Sequence, residues 1–333
     1  FQIFHKFFLI VVTGAWPLKY LAPANFEVAK NDLKKWGYCL LENAIPSDLN
    51  KKVLERLIEQ AAAEKKLNIA YEDGSKTKKW GEFNKNKDNT GINQRVWMLP
   101  NKGAVFLEIL EHHNYVDCIK QVVGSEYLIS SFGANIAKPG GVAMDLHTDQ
   151  WWLPDPVRRD EDFLPSGSID RKKFNIKVNK NIVYNNELIS RPVVSNVLIM
   201  LNGMNKENGG TLIVPGSHLF GRHPDKNIDK NIETISAEGP PGCAIITDGR
   251  VWHGTGANIS KEERLAILIT FCGPQFRPQE NFTLGIKKEI FSQLNNYQKE
   301  LFGFKVWNGY GRIGNPTDTF LSFENEEIGE LKI

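Results

Sequence analysis

The chain has 333 residues, 41% hydrophobic and 24% charged, and its 41 basic side chains against 39 acidic ones leave a formal net charge of +2. That balance excludes a disordered, highly charged chain and gives no electrostatic reason to expect nucleic acid as a partner. The length admits one large domain or two small ones around a substantial core.

The first apolar run, Phe7 to Trp16, is too short to cross a bilayer, which takes about 20 residues, so no membrane span is expected. Residues 1–25 read as an N-terminal extension, and residues 26–333 as a single domain. Phe26 to Trp36 has helical character and stops at Gly37. Tyr38 to Leu41 (YCLL) then reads as a short buried strand. Ser47 or Asp48 is the expected cap of a second helix, with Leu49, Val53, Leu54, Leu57, Ile58 and Ala61 at helical spacing. A third helix is predicted over Ala104 to Val123, closed by Gly124.

From Tyr127 the texture changes to short apolar runs separated by Gly, Pro and Asn: YLISSFGANIA, VVSNVLIML, GTLIVPG, CAIITD and LAILITFCG. Strands at this spacing predict a sandwich or barrel rather than βαβ units, with a β core over about 127–275. A polar insertion at about 155–190 interrupts it and has the length of a functional lid. Residues 281–333 form a C-terminal extension with no assigned element. Cys39, Cys118, Cys243 and Cys272 are widely separated with no CxxC pair, which predicts reduced thiols and a cytoplasmic protein.

The chemistry concentrates in His147-Thr148-Asp149, followed by His253 and Arg264. Residues i and i+2 of an extended segment share a face, so His147 and Asp149 can grip one metal ion together. Two imidazoles and one carboxylate are the donor set that holds non-haem Fe(II) and leaves positions open. Thr255 shares the face of His253, and a guanidinium at Arg264 offers a two-pronged anchor for a carboxylate. His218, His223, His112 and His113 read as structural histidines. Gly209, Gly210 and Gly216 read as turn glycines with positive φ. Trp151, Trp152, Arg95 and Trp97 are candidate walls of a substrate pocket.

The sequence resembles the phytanoyl-CoA dioxygenase-type family of Fe(II)/2-oxoglutarate-dependent oxygenases. The residues that carry the likeness are His147-Thr148-Asp149, the string Glu207-Asn208-Gly209-Gly210-Thr211 running into Val214-Pro215-Gly216-Ser217-His218, and His253 through Arg264. The resemblance implies a mainly β fold with flanking helices, a double-stranded β-helix (jelly-roll, cupin-like) core buttressed by N-terminal helices. It implies His147, Asp149 and His253 as Fe(II) ligands, with Arg264, Thr255 and Asn135 binding 2-oxoglutarate. O2 would be the oxidant, and a small organic molecule the substrate hydroxylated as 2-oxoglutarate becomes succinate and CO2. Two alternatives stand beside it: a cupin-type metal enzyme that does not use 2-oxoglutarate, and a non-catalytic jelly-roll binding protein.

Overall fold

The computed structural model describes residues 26–78, 91–151, 169–170, 188–314 and 319–323. The N-terminal extension, most of the insertion and Trp152 lie outside the described residues. Helix α1 spans Phe26–Trp36 and ends at Gly37, whose φ of 80° suits a residue without a Cβ. Strand β1 is Tyr38–Leu41 and helix α2 is Ser47–Lys66. Neither Ser47 nor Asp48 caps α2. Pro46 occupies the N-cap, no side chain bonds the open turn, and the Pro46 carbonyl accepts the first helical bond from Asn50 N at 2.8 Å. The buried stripe of α2 is narrower than its sequence pattern: Leu49, Val53, Leu57 and Ala61 are buried, but Ile58 is 51% exposed.

The third helix is not continuous. It divides into α3 (Ala104–Glu108), two single 3-10 turns (Ile109–Glu111 and His113–Tyr115), and α4 (Val116–Val123). His112 is extended at the break, with ψ 115°. Tertiary bonds hold the break where helical ones would have formed: the Tyr115 hydroxyl donates to Ile109 O at 3.0 Å and Asn114 Nδ2 to Asn43 O at 3.0 Å. His and Asn are weak helix formers, so these bonds decide the geometry. Gly124 does close α4, at φ 97°.

Strands β2 (Tyr71–Asp73), β3 (Asn93–Val96), β4 (Leu128–Ala137), β7 (Val194–Met200), β10 (Ala244–Asp248) and β12 (Arg264–Cys272) join β1 in an antiparallel sheet of order β1-β10-β7-β12-β4-β3-β2. Strands β8 (Thr211–Ile213), β9 (Ile235–Ser236) and β11 (His253–Thr255) make a second, three-stranded sheet. Within the insertion, β5 (Ile169–Asp170) pairs with β6 (Leu188–Ile189).

Alternation along β12 sorts the large sheet into two faces. Leu265, Ile267, Ile269 and Phe271 join the main core with Leu57 of α2 and Ile119 of α4. Ala266 belongs to a separate cluster with Ile213 of the small sheet and Met200. The helices thus cover one face, and the other turns toward the small sheet across a cavity. This is the mainly β jelly-roll architecture with flanking helices.

The register fixes what faces that cavity. One cross-strand row reads Thr247, Asn196, Thr270, Ser131. The next reads Ile245, Leu198, Leu268, Gly133, and the third Met200, Ala266, Asn135, Arg95. Arg264 stands one step beyond, opposite Ala137. The rows therefore pass from neutral polar through apolar to a cationic end.

The C-terminal extension carries α5 (Phe282–Gly285), α6 (Lys288–Phe291) and α7 (Asn296–Leu301), the last with a capping box between Asn295 and Gln298. Glu280, just ahead of α5, accepts from Met98 N and Phe132 N, both at 2.7 Å. Those bonds tie the extension to the segment after β3 and to β4, and they hold Met98 in a left-handed conformation, φ 54°.

Candidate metal and co-substrate site

His147 lies outside the regular strands but pairs with His253 of β11 through two backbone bonds, each 2.9 Å between amide and carbonyl. Asp149 N and Gln150 N both bond Gly249 O at 2.9 Å, which pins the rest of the tripeptide segment. Gly254 permits the close approach, since a Cβ there would lie 3.1 Å from Asp145 O. The side chains of His147, Asp149 and His253 converge, with all three donor atoms within 4.8 Å of one another. His253 Nε2 lies 3.2 Å from Asp149 Oδ2, and His147 Nε2 lies 3.7 Å from Asp149 Oδ1.

Backbone carbonyls fix the tautomers. His147 Nδ1 lies 3.2 Å from Asp145 O and His253 Nδ1 3.0 Å from Val251 O. A carbonyl only accepts, so each Nδ1 carries a proton and Nε2 is the ring nitrogen turned toward the other two side chains, where a metal would take its lone pair. Burial, and then the neighbouring His253, lower the pKa of His147 to about 4, so it is neutral at physiological pH. Burial by itself would raise the Asp149 carboxyl. The two histidines and the Asn196 amide outweigh it and hold it down to about 2. His147 is thus a neutral imidazole and Asp149 a carboxylate, two of the protonation states metal binding needs.

Arg264 is fully buried at the start of β12. Its Nη2 reaches Gly209 O at 3.4 Å, and its Nε and Nη1 have no partner. Burial, and then the charge of Arg95, push its pKa down to about 9. Gly209 turns at φ 89° and Gly216 at φ 82°, as expected. Gly210 does not; it is needed because a Cβ there would lie 2.6 Å from Asn205 O.

The cavity beside the triad is lined by Arg95, Trp97, Asn135, Thr255, Asn196 and Gln279, among others. The sequence-predicted residues Thr255 and Asn135 are therefore brought to it, and Asn135 Oδ1 is buried without a partner. Arg95 donates from Nε to buried Asp73 at 2.9 Å. Trp97 lies over Gly133, where a Cβ would come within 2.9 Å of the indole. Trp151 is not among the lining residues; its side chain is 45% exposed, and its carbonyl accepts from His223 Nε2 at 3.0 Å. His218 is buried against Lys34 O at 3.3 Å, remote from the ligand set. Asn196 and Gln279 escaped the sequence reading. For Asn196 the signal was a lone amide inside the apolar run of β7; for Gln279 no local pattern existed.

A larger cavity, about 520 Å³, opens among Phe276, Phe282, Phe302, Phe304 and Phe323 of the C-terminal extension. It lacks the ligand chemistry: its Glu280 carboxylate is turned onto two backbone amides. His147, Asp149 and His253 line the smaller cavity instead.

The phytanoyl-CoA dioxygenase (PhyH) family matches residues 33–266, which include the whole triad and Arg264. The chain belongs to this family. It is a dioxygenase that depends on Fe(II) and 2-oxoglutarate. Dioxygenase af480 of Aspergillus fumigatus is 30% identical over 280 residues, covering 83% of this chain and 76% of that protein. The multifunctional dioxygenase prhA of Penicillium brasilianum is 29% identical over 118 residues, covering 34% of this chain and 39% of that protein. Among solved structures, the alpha ketoglutarate dependent carbocyclase SnoK from nogalamycin biosynthesis aligns at TM-score 0.54 and 15% identity, over 85% of this chain and 94% of that one. The epimerase SnoN, solved with Fe3+, alpha ketoglutarate and nogalamycin RO, aligns at TM-score 0.53 and 14% identity, over 80% and 91%. These two likenesses show the fold. Among the described residues, no helix is long and apolar enough to cross a membrane.

Proposed function

We propose that this dioxygenase hydroxylates a small organic molecule, with His147, Asp149 and His253 holding the iron and Arg264, Thr255 and Asn135 holding 2-oxoglutarate. The donor set fits: two lone pairs at Nε2 and one carboxylate converge within 4.8 Å. When bound, Fe(II) and 2-oxoglutarate supply the oxidising chemistry, in which O2 cleaves the keto acid to succinate and CO2 and one oxygen atom enters a C–H bond.

The observation that carries the reading is Arg264. A fully buried guanidinium with two unpartnered nitrogens is costly unless an anion completes it. The distal carboxylate of 2-oxoglutarate is an anion of matching fork geometry. Along β12, Arg264 stands six residues from Thr270, about 20 Å of strand. That separation leaves room for the extended guanidinium and a five-carbon diacid between the cationic end and the triad. A cupin-type enzyme without the keto acid has no use for this group.

The chain's other residues orient and shield. Thr255, on the face of His253, offers a hydroxyl along the diacid. Asn135 offers an amide whose Oδ1 lacks a donor. Leu198, Leu268 and Ile245 make the wall between the cationic end and the triad apolar and exclude water there. Trp97 and Arg95 are the proposed substrate contacts. Docking of the C-terminal extension on β4 through Glu280 supports one domain over 26–333.

The test is anaerobic and needs no substrate. Fe(II) and then 2-oxoglutarate are added to apo protein, and the visible charge-transfer band of a chelated keto acid is recorded. The band should appear, and should vanish in His253→Ala. Iron binding without the band would refute the co-substrate assignment.

A further inference from the structure

Asn196 is the third residue of β7, 4% exposed, in a strand whose other side chains are mostly apolar. Its Nδ2 donates to Asp149 Oδ2 at 2.8 Å and to Thr247 Oγ1 at 3.2 Å. A carboxylate accepts, so the contact with Asp149 identifies the amide nitrogen as the end turned toward it. Its Oδ1 is consequently committed to a buried position with no donor. An unpaired buried acceptor costs about 1–3 kcal/mol. The strand would be more stable with an apolar side chain unless the amide serves the carboxylate it touches.

We infer that Asn196 is the positioning residue of the metal-binding carboxylate. It holds Asp149 in one rotamer with Oδ2 occupied, which leaves Oδ1 as the oxygen free for the metal. Thr247 in turn orients the amide, and the register of β10, β7 and β12 sets both in the row beneath Asp149. The device spans the two halves of the site: the carboxylate comes from the segment paired with β11, and its anchor from the opposite, large sheet. Metal affinity is thereby coupled to correct packing of one sheet on the other. The inference rests on the triad being the metal site.

The experiment uses the full chain, titrated anaerobically with Co(II), reading affinity and the cobalt d–d spectrum. Loss of a hydrogen-bond partner to a metal ligand costs 10–100-fold in metal affinity. Asn196→Ala should weaken Co(II) by about that factor and alter the spectrum, because Asp149 is freed to rotate or to bind through both oxygens. In the Asp149→Ala background, Asn196→Ala should bring no further loss, the signature of action through that carboxylate. Asn196→Thr, which suits a strand, serves if the alanine variant fails to fold, with the apo melting curve as the check. Wild-type affinity and spectrum in a folded Asn196 variant would overturn the inference, as would additive losses in the double variant. A wild-type protein that binds no Co(II) would overturn the metal reading and this inference with it.

Discussion

Replacing Arg264 with methionine should make the apo protein more stable while disabling it. The two effects have one cause. At neutral pH Arg264 is charged in both folded and unfolded chains, but in the fold burial brings its pKa from the ordinary 12.5 to about 9. That difference corresponds to about 5 kcal/mol against the buried charge. Part of it is regained by the long contact to Gly209 O and would be lost with it, and the narrower methionine leaves some void. Exchange of buried ionic groups for apolar ones of similar size stabilises by about 1–4 kcal/mol. At about 2 °C per kcal/mol for a chain of this length, the apo melting temperature should rise by about 2–8 °C. Meanwhile two charge-assisted hydrogen bonds to the diacid disappear, each worth about 1.5–3 kcal/mol, so its affinity should fall at least about 100-fold. Scanning calorimetry of the apo forms and anaerobic titration of the keto-acid band measure the two halves. Saturating 2-oxoglutarate should raise the wild-type melting temperature and leave that of the variant unmoved. An apo variant that melts below wild type, or a diacid affinity within threefold of it, would refute the argument that this guanidinium waits for an anion.

Other outcomes follow from the same geometry. His147→Ala or Asp149→Ala removes one of three ligands, so neither variant should bind Fe(II) tightly or release succinate; calorimetric titration and a succinate assay decide it. Burial, ahead of the Arg250 charge and against Asp248, lowers the pKa of His218 from 6.5 to about 4. The unfolded chain therefore binds a proton between those values that the fold refuses. Stability should fall as pH drops from about 6.5 to 4, by about 3 kcal/mol from this group, and His218→Gln should flatten that slope in denaturant titrations across the window. Glu280→Ala strips the acceptor from Met98 N and Phe132 N and releases the left-handed turn after Trp97. A loss of about 3 kcal/mol or more is expected in urea unfolding.

The triad was legible because ligand spacing on extended chain is a local matter: His147 and Asp149 need only alternate, and His253 with Thr255 likewise. Arg264 was legible for the same reason, as the opening residue of an unmistakable strand, LAILITF. The β core could be read from its apolar runs and the glycines between them. What failed depended on partners far along the chain. The break at His112 is made by Asn114 reaching Asn43, and the start of α2 by Pro46 rather than by the Ser and Asp that follow it. Asn196 gains its meaning only from Asp149, 47 positions away in sequence. Gln279 and Glu280 sit in PQFRPQENF, a stretch with neither helical nor strand period, and are placed entirely by β4 and the turn at Met98.

Those last two residues lie beyond position 266, where the family match ends. The proposed ligand set and the proposed diacid anchor fall inside the shared region, while one residue lining the cavity, Gln279, and the acceptor for Met98 N, Glu280, do not. The triad and part of the wall of the cavity beside it thus lie on separate stretches of chain, Arg95 and Trp97 inside the matched region and Gln279 beyond it. A chimera that exchanges residues 274–304 with a relative's counterpart would keep the triad and Arg264 and change one edge of the cavity beside them.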